Sequence, residues 1–221
     1  MSRSVRFLRR LAGACLACLA VAGPAASEVR LLAFGDSLTA GFGVPEDKGF
    51  VPTLETWLHA HGAADVTVVN GGVSGDTTAG GLARIDAALT PDIDGVILEL
   101  GANDVLRGVA PGTMQRNLDG ILDAIAARRL PVLVTGIPAP PNYAEADRRD
   151  FRAVFRDVAA RHDALYYRSF LAGMGQGRSI HEIMRLMQRD GLHPNRAGVV
   201  AIVDHIGPVV LELVALARER S

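Results

Sequence analysis

The sequence predicts an α/β fold, an open, doubly wound and mainly parallel sheet of five strands with helices on both of its faces. Two observations support this prediction. Short runs rich in Val, Leu and Ile recur along the chain, and helical patterns of apolar residues separate them. The runs lack the alternation of apolar and polar residues of a strand with one wet face, which is typical of strands buried on both sides of a parallel sheet.

Each element follows from its own run of residues. The five predicted strands are Val29–Phe34, Val66–Asn70, Gly95–Leu100, Pro131–Thr135 and Ala164–Tyr167. Apolar residues at helical spacing mark the helices between and after them: Phe50, Leu54, Trp57 and Leu58; Leu118, Ile121, Leu122 and Ile125; Phe151, Val154, Phe155 and Val158; Val199, Ile202, Val203 and Ile206. Pro208 is expected to kink or split the last helix. With no repeat or linker in the sequence, we expect one domain over residues 28–221.

The first 27 residues have the layout of a secretory signal peptide. They carry four arginines and no acid, followed by an uncharged apolar stretch from Leu11 to Gly23 and by small residues at Ala25-Ala26-Ser27. The apolar stretch is too short for a comfortable membrane span. We therefore expect export, with the periplasm as the destination or secretion beyond it, and no stable membrane span in the mature chain. A retained N-terminal anchor is the alternative.

Both cysteines, Cys15 and Cys18, lie inside this apolar stretch. The mature protein is therefore expected to contain no cysteine and no disulfide, and neither a metal site nor a redox pair is expected from them. Lipid attachment at Cys15 is a weaker alternative, because little apolar sequence precedes it. The sequence leaves open whether the leader is cleaved or lipid-modified.

Charge excludes one class of partner. Beyond residue 27 the chain holds 19 Lys and Arg against 24 Asp and Glu, so the body is mildly acidic. Such a body has no electrostatic reason to bind nucleic acid. The oligomeric state is not determined by the sequence, and a monomer is compatible with it.

Reactive residues follow the ends of three predicted strands. Ser37 follows the first strand between glycines, Gly75 follows the second in a run of small residues, and Asn103 follows the third in Gly-Ala-Asn-Asp. Asp190 and His193 stand three residues apart in a turn, where the carboxylate can orient the imidazole as a base. A nucleophile, a base with its orienting acid, and donors for an oxyanion are what acyl transfer requires.

These residues also have structural interpretations. Ser37 could cap the following helix, Gly75 could only permit a positive φ, and Asn103 could only cap the next segment. Asp36 is predicted to be a structural hydrogen-bond acceptor, because neighbours on an extended backbone point apart. Of the six histidines, only His193 has a carboxylate at turn spacing.

Together the four blocks resemble the SGNH (GDSL-type) hydrolases. Gly-Asp-Ser-Leu at residues 35–38, Gly75, Gly-x-Asn-Asp at 101–104 and Asp-x-x-His at 190–193 reproduce that family's motifs in order. The residues in and around these motifs most resemble those of the bacterial multifunctional thioesterase I/protease I/lysophospholipase L1 and arylesterase branch. The resemblance implies Ser37, Asp190 and His193 as the catalytic triad. It also implies the N–H groups of Ser37 and Gly75 and the Asn103 amide as the oxyanion hole.

The resemblance implies a serine esterase that hydrolyses small-molecule or lipid esters and thioesters of acyl chains, and the leader adds the expectation of export. No cofactor and no metal are expected, since the predicted mature chain lacks cysteine and its sequence shows no clustered His ligands. The proposed walls of the acyl pocket are Leu38, Ile137, Pro138, Tyr143 and Leu192. Two alternatives remain open: a polysaccharide O-acetylesterase of the same family, and a non-catalytic binding module on a flavodoxin-like scaffold. The sequence determines neither the preferred acyl chain nor whether peptides are cleaved.

Overall fold

A computed structural model describes residues 28–138 and 145–220, so the predicted leader and Tyr143 lie outside the described residues. The described chain forms a five-stranded sheet in which every neighbouring pair is parallel. The strands are β1 (Val29–Gly35), β2 (Val66–Gly72), β3 (Gly95–Glu99), β4 (Val132–Thr135) and β5 (Leu165–Tyr167). Each begins within one residue and ends within two of the range predicted from the sequence, and the predicted fold class is confirmed.

Helices cover both faces of the sheet. They are α1 (Ser37–Ala40), α2 (Phe50–Ala60), α3 (Thr78–Ala88), α4 (Ala102–Leu106), α5 (Pro111–Ala127), α6 (Glu145–Arg161), α7 (Ala172–Gly175), α8 (Ile180–Arg185) and α9 (Arg196–Arg218), with a 3₁₀ turn at Glu46–Lys48. Helix α9 packs against α2 and α7 on one face, while α5 packs between α3 and α6 on the other. Strands β3 and β4 are buried along their whole length between these layers, as their unbroken apolar runs predict.

The strand order β2-β1-β3-β4-β5 determines where a ligand site can form. From β1 the chain moves to β2 at the edge and then crosses back to β3 on the other side of β1. In open α/β sheets the crevice beyond the carboxyl ends of the strands at such a reversal is where ligands bind. The segments that follow β1, β2 and β3 therefore meet at one rim of the molecule.

Helix α9 corrects one prediction. It runs without interruption from Arg196 to Arg218, so the expectation that Pro208 splits it is wrong. Pro208 is exposed, and so is Asp204, the residue whose carbonyl loses its helical donor. Water can satisfy that carbonyl, while the opposite side of the helix is held by its packing. Among the described helices, α9 is long and apolar enough to cross a membrane by length and composition. Its apolar residues Ile202, Ile206 and Leu213 are instead buried in the protein core.

The contact between α9 and α2 gives a test with a built-in fluorophore. A Cβ at Gly207 would lie 2.5–2.7 Å from ring atoms of Trp57, the single tryptophan of the chain. We expect Gly207→Ala to displace that ring and to lower the free energy of unfolding by about 1–3 kcal/mol. Thermal melts and Trp57 emission measure both effects.

Gly175→Ala is the matched control, because a Cβ there would meet no atom of the described residues within 4 Å. It should leave the emission unchanged and the stability equal or slightly higher. Equal behaviour of the two variants would show that the α2–α9 contact is looser than described.

Candidate active site

Three side chains form a continuous hydrogen-bonded chain at the rim. Ser37 Oγ lies 2.9 Å from His193 Nε2, and His193 Nδ1 lies 2.7 Å from Asp190 Oδ2. Ser37 and His193 are 156 residues apart in the chain, so the sheet itself brings them together. A hydroxyl bonded to one imidazole nitrogen, with a carboxylate on the other, is the arrangement in which the imidazole can take the hydroxyl proton.

Hydrogen bonds within one turn hold Asp190 and His193 in place. Asp190 Oδ1 accepts the backbone N–H groups of Leu192 at 2.9 Å and His193 at 3.1 Å, while Oδ2 faces the imidazole. The hydrogen bond with His193, supported by the Leu192 N–H, lowers the pKa of Asp190 from 3.8 to about 2. Asp190 is therefore ionised throughout the neutral range, which suits it to holding Nδ1–H and leaving Nε2 as an acceptor.

Two residues that the sequence reasoning missed support the imidazole. The Phe42 ring lies 4.7 Å from the His193 ring, centroid to centroid, although Phe42 is 51% exposed. Gln188 donates its side-chain amide to Phe42 O at 2.7 Å, and its backbone N–H donates to His193 O at 2.7 Å. An aromatic residue between two glycines just after Ser37 was the available signal, because such a ring has no core of its own to enter.

The turn after β1 presents Ser37 at the start of α1. Asp36 is the N-cap: its Oδ1 accepts the Leu38 N–H at 3.0 Å, as expected of a structural acceptor. Ser37 is the first residue of α1, so its N–H has no acceptor within the helix. The backbone N–H and the side-chain hydroxyl of Ser37 are thus both available at the rim.

Asn103 reaches the same place from β3. It lies in the first turn of α4, and its Nδ2 donates to Asp36 Oδ2 at 3.0 Å. One amide hydrogen is used in this bond and the other remains for a ligand. Asn103, Ser37 and His193 line one cavity.

Gly75 occupies the turn after β2 with φ +83°, a left-handed conformation that side chains rarely adopt. Its carbonyl accepts the Arg107 guanidinium at 2.8 Å. Among the described residues no acceptor is bonded to its N–H. The backbone conformation and the Arg107 contact thus hold Gly75 in place while its N–H stays open.

Arg84 joins the ends of β1 and β2, a role that no sequence pattern indicated. Its guanidinium donates to Gly35 O and Gly71 O, both at 2.9 Å, and to Asp76 Oδ2 at 2.7 Å. The same group lies 3.9 Å from the centre of the Phe34 ring. These contacts tie the turn that carries Ser37 to the turn that carries Gly75.

An apolar cavity of about 500 Å³ opens beside Ser37 and His193. Of the residues proposed for the acyl pocket, Leu38, Ile137, Pro138 and Leu192 line this cavity, whereas Tyr143 lies outside the described residues. Its further walls include Val105, Leu106, Leu171 and Met187. Over residues 28–138 and 145–220, no three His, Cys, Asp or Glu side chains gather closely enough to hold a metal ion.

A parallel α/β sheet with a Ser–His–Asp chain, open N–H donors and an apolar cavity at its carboxyl rim is characteristic of hydrolases that act on acyl esters. Comparison with known proteins agrees. Residues 33–201 match the GDSL-like lipase/acylhydrolase family. The chain belongs to that family, also called the SGNH hydrolases, and is an esterase of the SGNH type.

Similar proteins cover nearly the whole chain. It is 37% identical to the esterase TesA of Pseudomonas aeruginosa over 92% of this chain and 98% of that protein. It is 32% identical to thioesterase 1/protease 1/lysophospholipase L1 of Escherichia coli K12, over 86% of this chain and 87% of that protein. A crystal structure of TesA superposes with a TM-score of 0.75 at 37% identity, covering 83% of this chain and 99% of that one.

The low pKa of Asp190 predicts a pH-dependent part of the stability. Because the folded-state pKa is about 2 and the ordinary value is 3.8, the ionised carboxylate stabilises the fold above pH 3.8, and that contribution is lost as the pH falls towards 2. Asp190→Asn lacks the contribution at every pH. We expect the difference in unfolding free energy between the wild type and this variant to narrow from about pH 5 to about pH 2. Urea titrations across that range measure it, and a constant or widening difference would refute the His193–Asp190 pairing.

Proposed function

We propose that this esterase hydrolyses esters and thioesters of acyl chains through a covalent acyl-enzyme on Ser37. The observation that carries the proposal is the unbroken chain from Ser37 through His193 to Asp190 at the wall of the cavity. The relative named thioesterase 1/protease 1/lysophospholipase L1 supports the inclusion of thioesters and lipid esters.

The reaction has two halves. Ser37 Oγ attacks the acyl carbonyl carbon while His193 Nε2 takes the hydroxyl proton, and Asp190 stabilises the imidazolium that forms. The bond from the carbonyl carbon to the alkoxide or thiolate leaving group breaks, and His193 passes its proton to that group. A water molecule then repeats the sequence, releasing the acid and restoring Ser37.

Charge that develops on the carbonyl oxygen needs donors already in place. We assign this role to the N–H groups of Ser37 and Gly75 and to the Asn103 amide. The first two are open backbone donors, and Asn103 is fixed by Asp36 with one amide hydrogen to spare. Fixed donors at this point stabilise the transition state without reorganising during the reaction.

The cavity favours acyl chains longer than acetyl. Its volume of about 500 Å³ and the apolar side chains of Leu38, Ile137 and Leu192 suit a hydrocarbon chain, which gains free energy by leaving water. An O-acetylesterase has only a methyl group to bury. A series of p-nitrophenyl esters from acetate to decanoate, with acyl-CoA and lysophospholipid alongside, separates the two candidates by their kcat/KM.

Ser37→Ala is expected to abolish hydrolysis and leave the fold intact, because it removes the attacking oxygen without changing core packing. The wild type should react with a fluorophosphonate probe in a 1:1 ratio at Ser37. Turnover of p-nitrophenyl butyrate, probe labelling and a thermal melt are measured on the same preparations.

The exposed hydroxyl of Ser179, which caps α8, provides the control. Ser179→Ala should keep both labelling and turnover. Activity of Ser37→Ala within tenfold of the wild type would remove Ser37 from the reaction. A wild type that neither reacts with the probe nor turns over ester would favour the non-catalytic binding module.

We further propose that residues 1–27 direct export and are removed, leaving residues 28–221 as the mature domain. The support is the basic start, the short apolar stretch and the small residues before Glu28. The full chain expressed in a Gram-negative host should yield periplasmic protein with Glu28 at its N-terminus. Cys15→Ser should not alter this, because lipid attachment is not involved. Full-length protein in the membrane fraction would contradict cleavage.

A further inference from the structure

Two carboxyl groups that take no part in the proposed reaction lie directly beneath the turn that carries Ser37. Asp36 follows the end of β1, and Glu99 is the last residue of β3, in register with Gly35. Both residues are fully buried. Burying two carboxyl groups together is costly unless their charges and hydrogen bonds are arranged, so the arrangement calls for a function.

The donors around each carboxyl differ. Glu99 Oε2 accepts the Thr39 hydroxyl at 2.8 Å and the Asp36 N–H at 3.3 Å, while Oε1 is buried with no hydrogen-bond partner among the described residues. Both oxygens of Asp36 have donors: Leu38 N–H on Oδ1 and Asn103 Nδ2 on Oδ2. An ionised Glu99 would leave a charged oxygen without a donor, whereas a proton on Oε1 leaves Oε2 as the acceptor of both bonds.

We propose that Asp36 and Glu99 form a positioning pair that carries a single negative charge, with Glu99 as the neutral acid and Asp36 as the carboxylate that orients the Asn103 amide. This inference rests on the proposed oxyanion role of Asn103. Asp36 holds one amide hydrogen, which fixes the plane of the amide and directs the other hydrogen at the reacting oxygen. Glu99 fixes the Asp36 peptide and the Thr39 hydroxyl without adding a second charge.

The electrostatics agree with this division. Burial raises the pKa of Glu99 well above its ordinary value, and the neighbouring Asp36 raises it further. Burial also raises the pKa of Asp36, but the hydrogen bonds from Leu38 and Asn103 and the nearby His193 oppose that shift. The proton therefore goes to Glu99 first, because both oxygens of Asp36 have donors, whereas Glu99 has donors on Oε2 alone.

A double-mutant cycle tests the link between Asp36 and Asn103. Asn103→Ala alone should lower kcat by about 10²–10³. Asp36→Asn replaces the carboxylate with a neutral amide, and we expect it to lower kcat at least about tenfold with little change in KM, because the oriented donor acts only in the transition state. In the Asn103→Ala background the same substitution should have almost no further effect on kcat. An equal loss in both backgrounds would overturn the proposal.

Two substitutions of Glu99 separate the effect of its hydrogen-bonding shape from the effect of its charge. Glu99→Leu removes the acceptor for Asp36 and Thr39 and should lower kcat about tenfold or more through misplacement of the turn. Glu99→Gln keeps an uncharged group of the same shape and should restore most of that loss. If Glu99→Gln is as impaired as Glu99→Leu, the neutral form is not what the site uses and the proposal fails.

The charge state is also measurable without altering the site. In protein labelled with ¹³C at the Glu carboxyl carbon, the resonance absent from Glu99→Gln is that of Glu99. At neutral pH it should have the shift of a protonated acid. A spectrum in which every Glu carboxyl resonance has a carboxylate shift would refute the proposal even if variants of Glu99 fail to fold.

Asp104→Asn is the matched control. Asp104 is also buried and also accepts an N–H and a hydroxyl, from Thr78 at 2.8 and 2.6 Å, but these bonds attach α4 to α3. It should lower the melting temperature with kcat per folded molecule nearly unchanged. An Asp36→Asn variant with that same pattern would show that Asp36 is merely structural. Probe labelling of the wild type tests Ser37 independently of the Asp36–Glu99 pair. Normal labelling together with any of the contradicting results above would overturn the positioning pair and leave the proposed function standing.

Discussion

The turn at Gly35–Ser37 packs against the end of β3 so closely that a Cβ at Gly35 would lie 2.6 Å from the backbone oxygen of Glu99. The positions of the other groups at the site follow from this contact. It brings the first turn of α1 next to the segment that follows β3, so that Asp36 and Asn103 can bond across the gap between two strands. Any larger residue at position 35 would separate the attacking hydroxyl from the amide that is proposed to stabilise its product.

Some groups at the rim are positioned by local contacts and others by the packing of the sheet. The Asp190–His193 pair lies within one turn and is fixed by its own backbone, so it can form wherever that turn forms. Ser37 depends on the sheet, because only the packing of β1 against its neighbours and of α9 on one face brings residue 37 within 2.9 Å of residue 193. We therefore expect the pair to tolerate small shifts of the core, and the Ser37–His193 distance to be the sensitive quantity.

The fold and the reacting residues could be predicted from the sequence because both leave local patterns. Unbroken apolar runs mark strands buried on two sides, and the reactive residues directly follow three of those runs. Arg84 and Glu99 leave no such pattern. Their roles depend on partners such as Gly35, 49 residues before Arg84, and Thr39, 60 residues before Glu99, which only the strand order brings together. The predicted split of α9 at Pro208 is wrong for a related reason. The rule that a proline breaks a helix concerns an isolated helix, whereas α9 is held by its buried side.

The same strand order explains why a buried acid is tolerated under the site at all. A neutral Glu99 costs far less to bury than a carboxylate, and its Oε2 still accepts both hydrogen bonds. The single charge that remains is on Asp36, whose two oxygens each accept one hydrogen bond. One of the two donors is the amide proposed to bind the oxyanion. When the reacting oxygen gains negative charge, that amide is already polarised by Asp36 and cannot turn away, so the stabilisation requires no reorganisation. A side chain of the same size without charge at position 36 would hold the backbone turn but leave the Asn103 amide free to rotate, and the difference would appear in kcat and not in substrate binding.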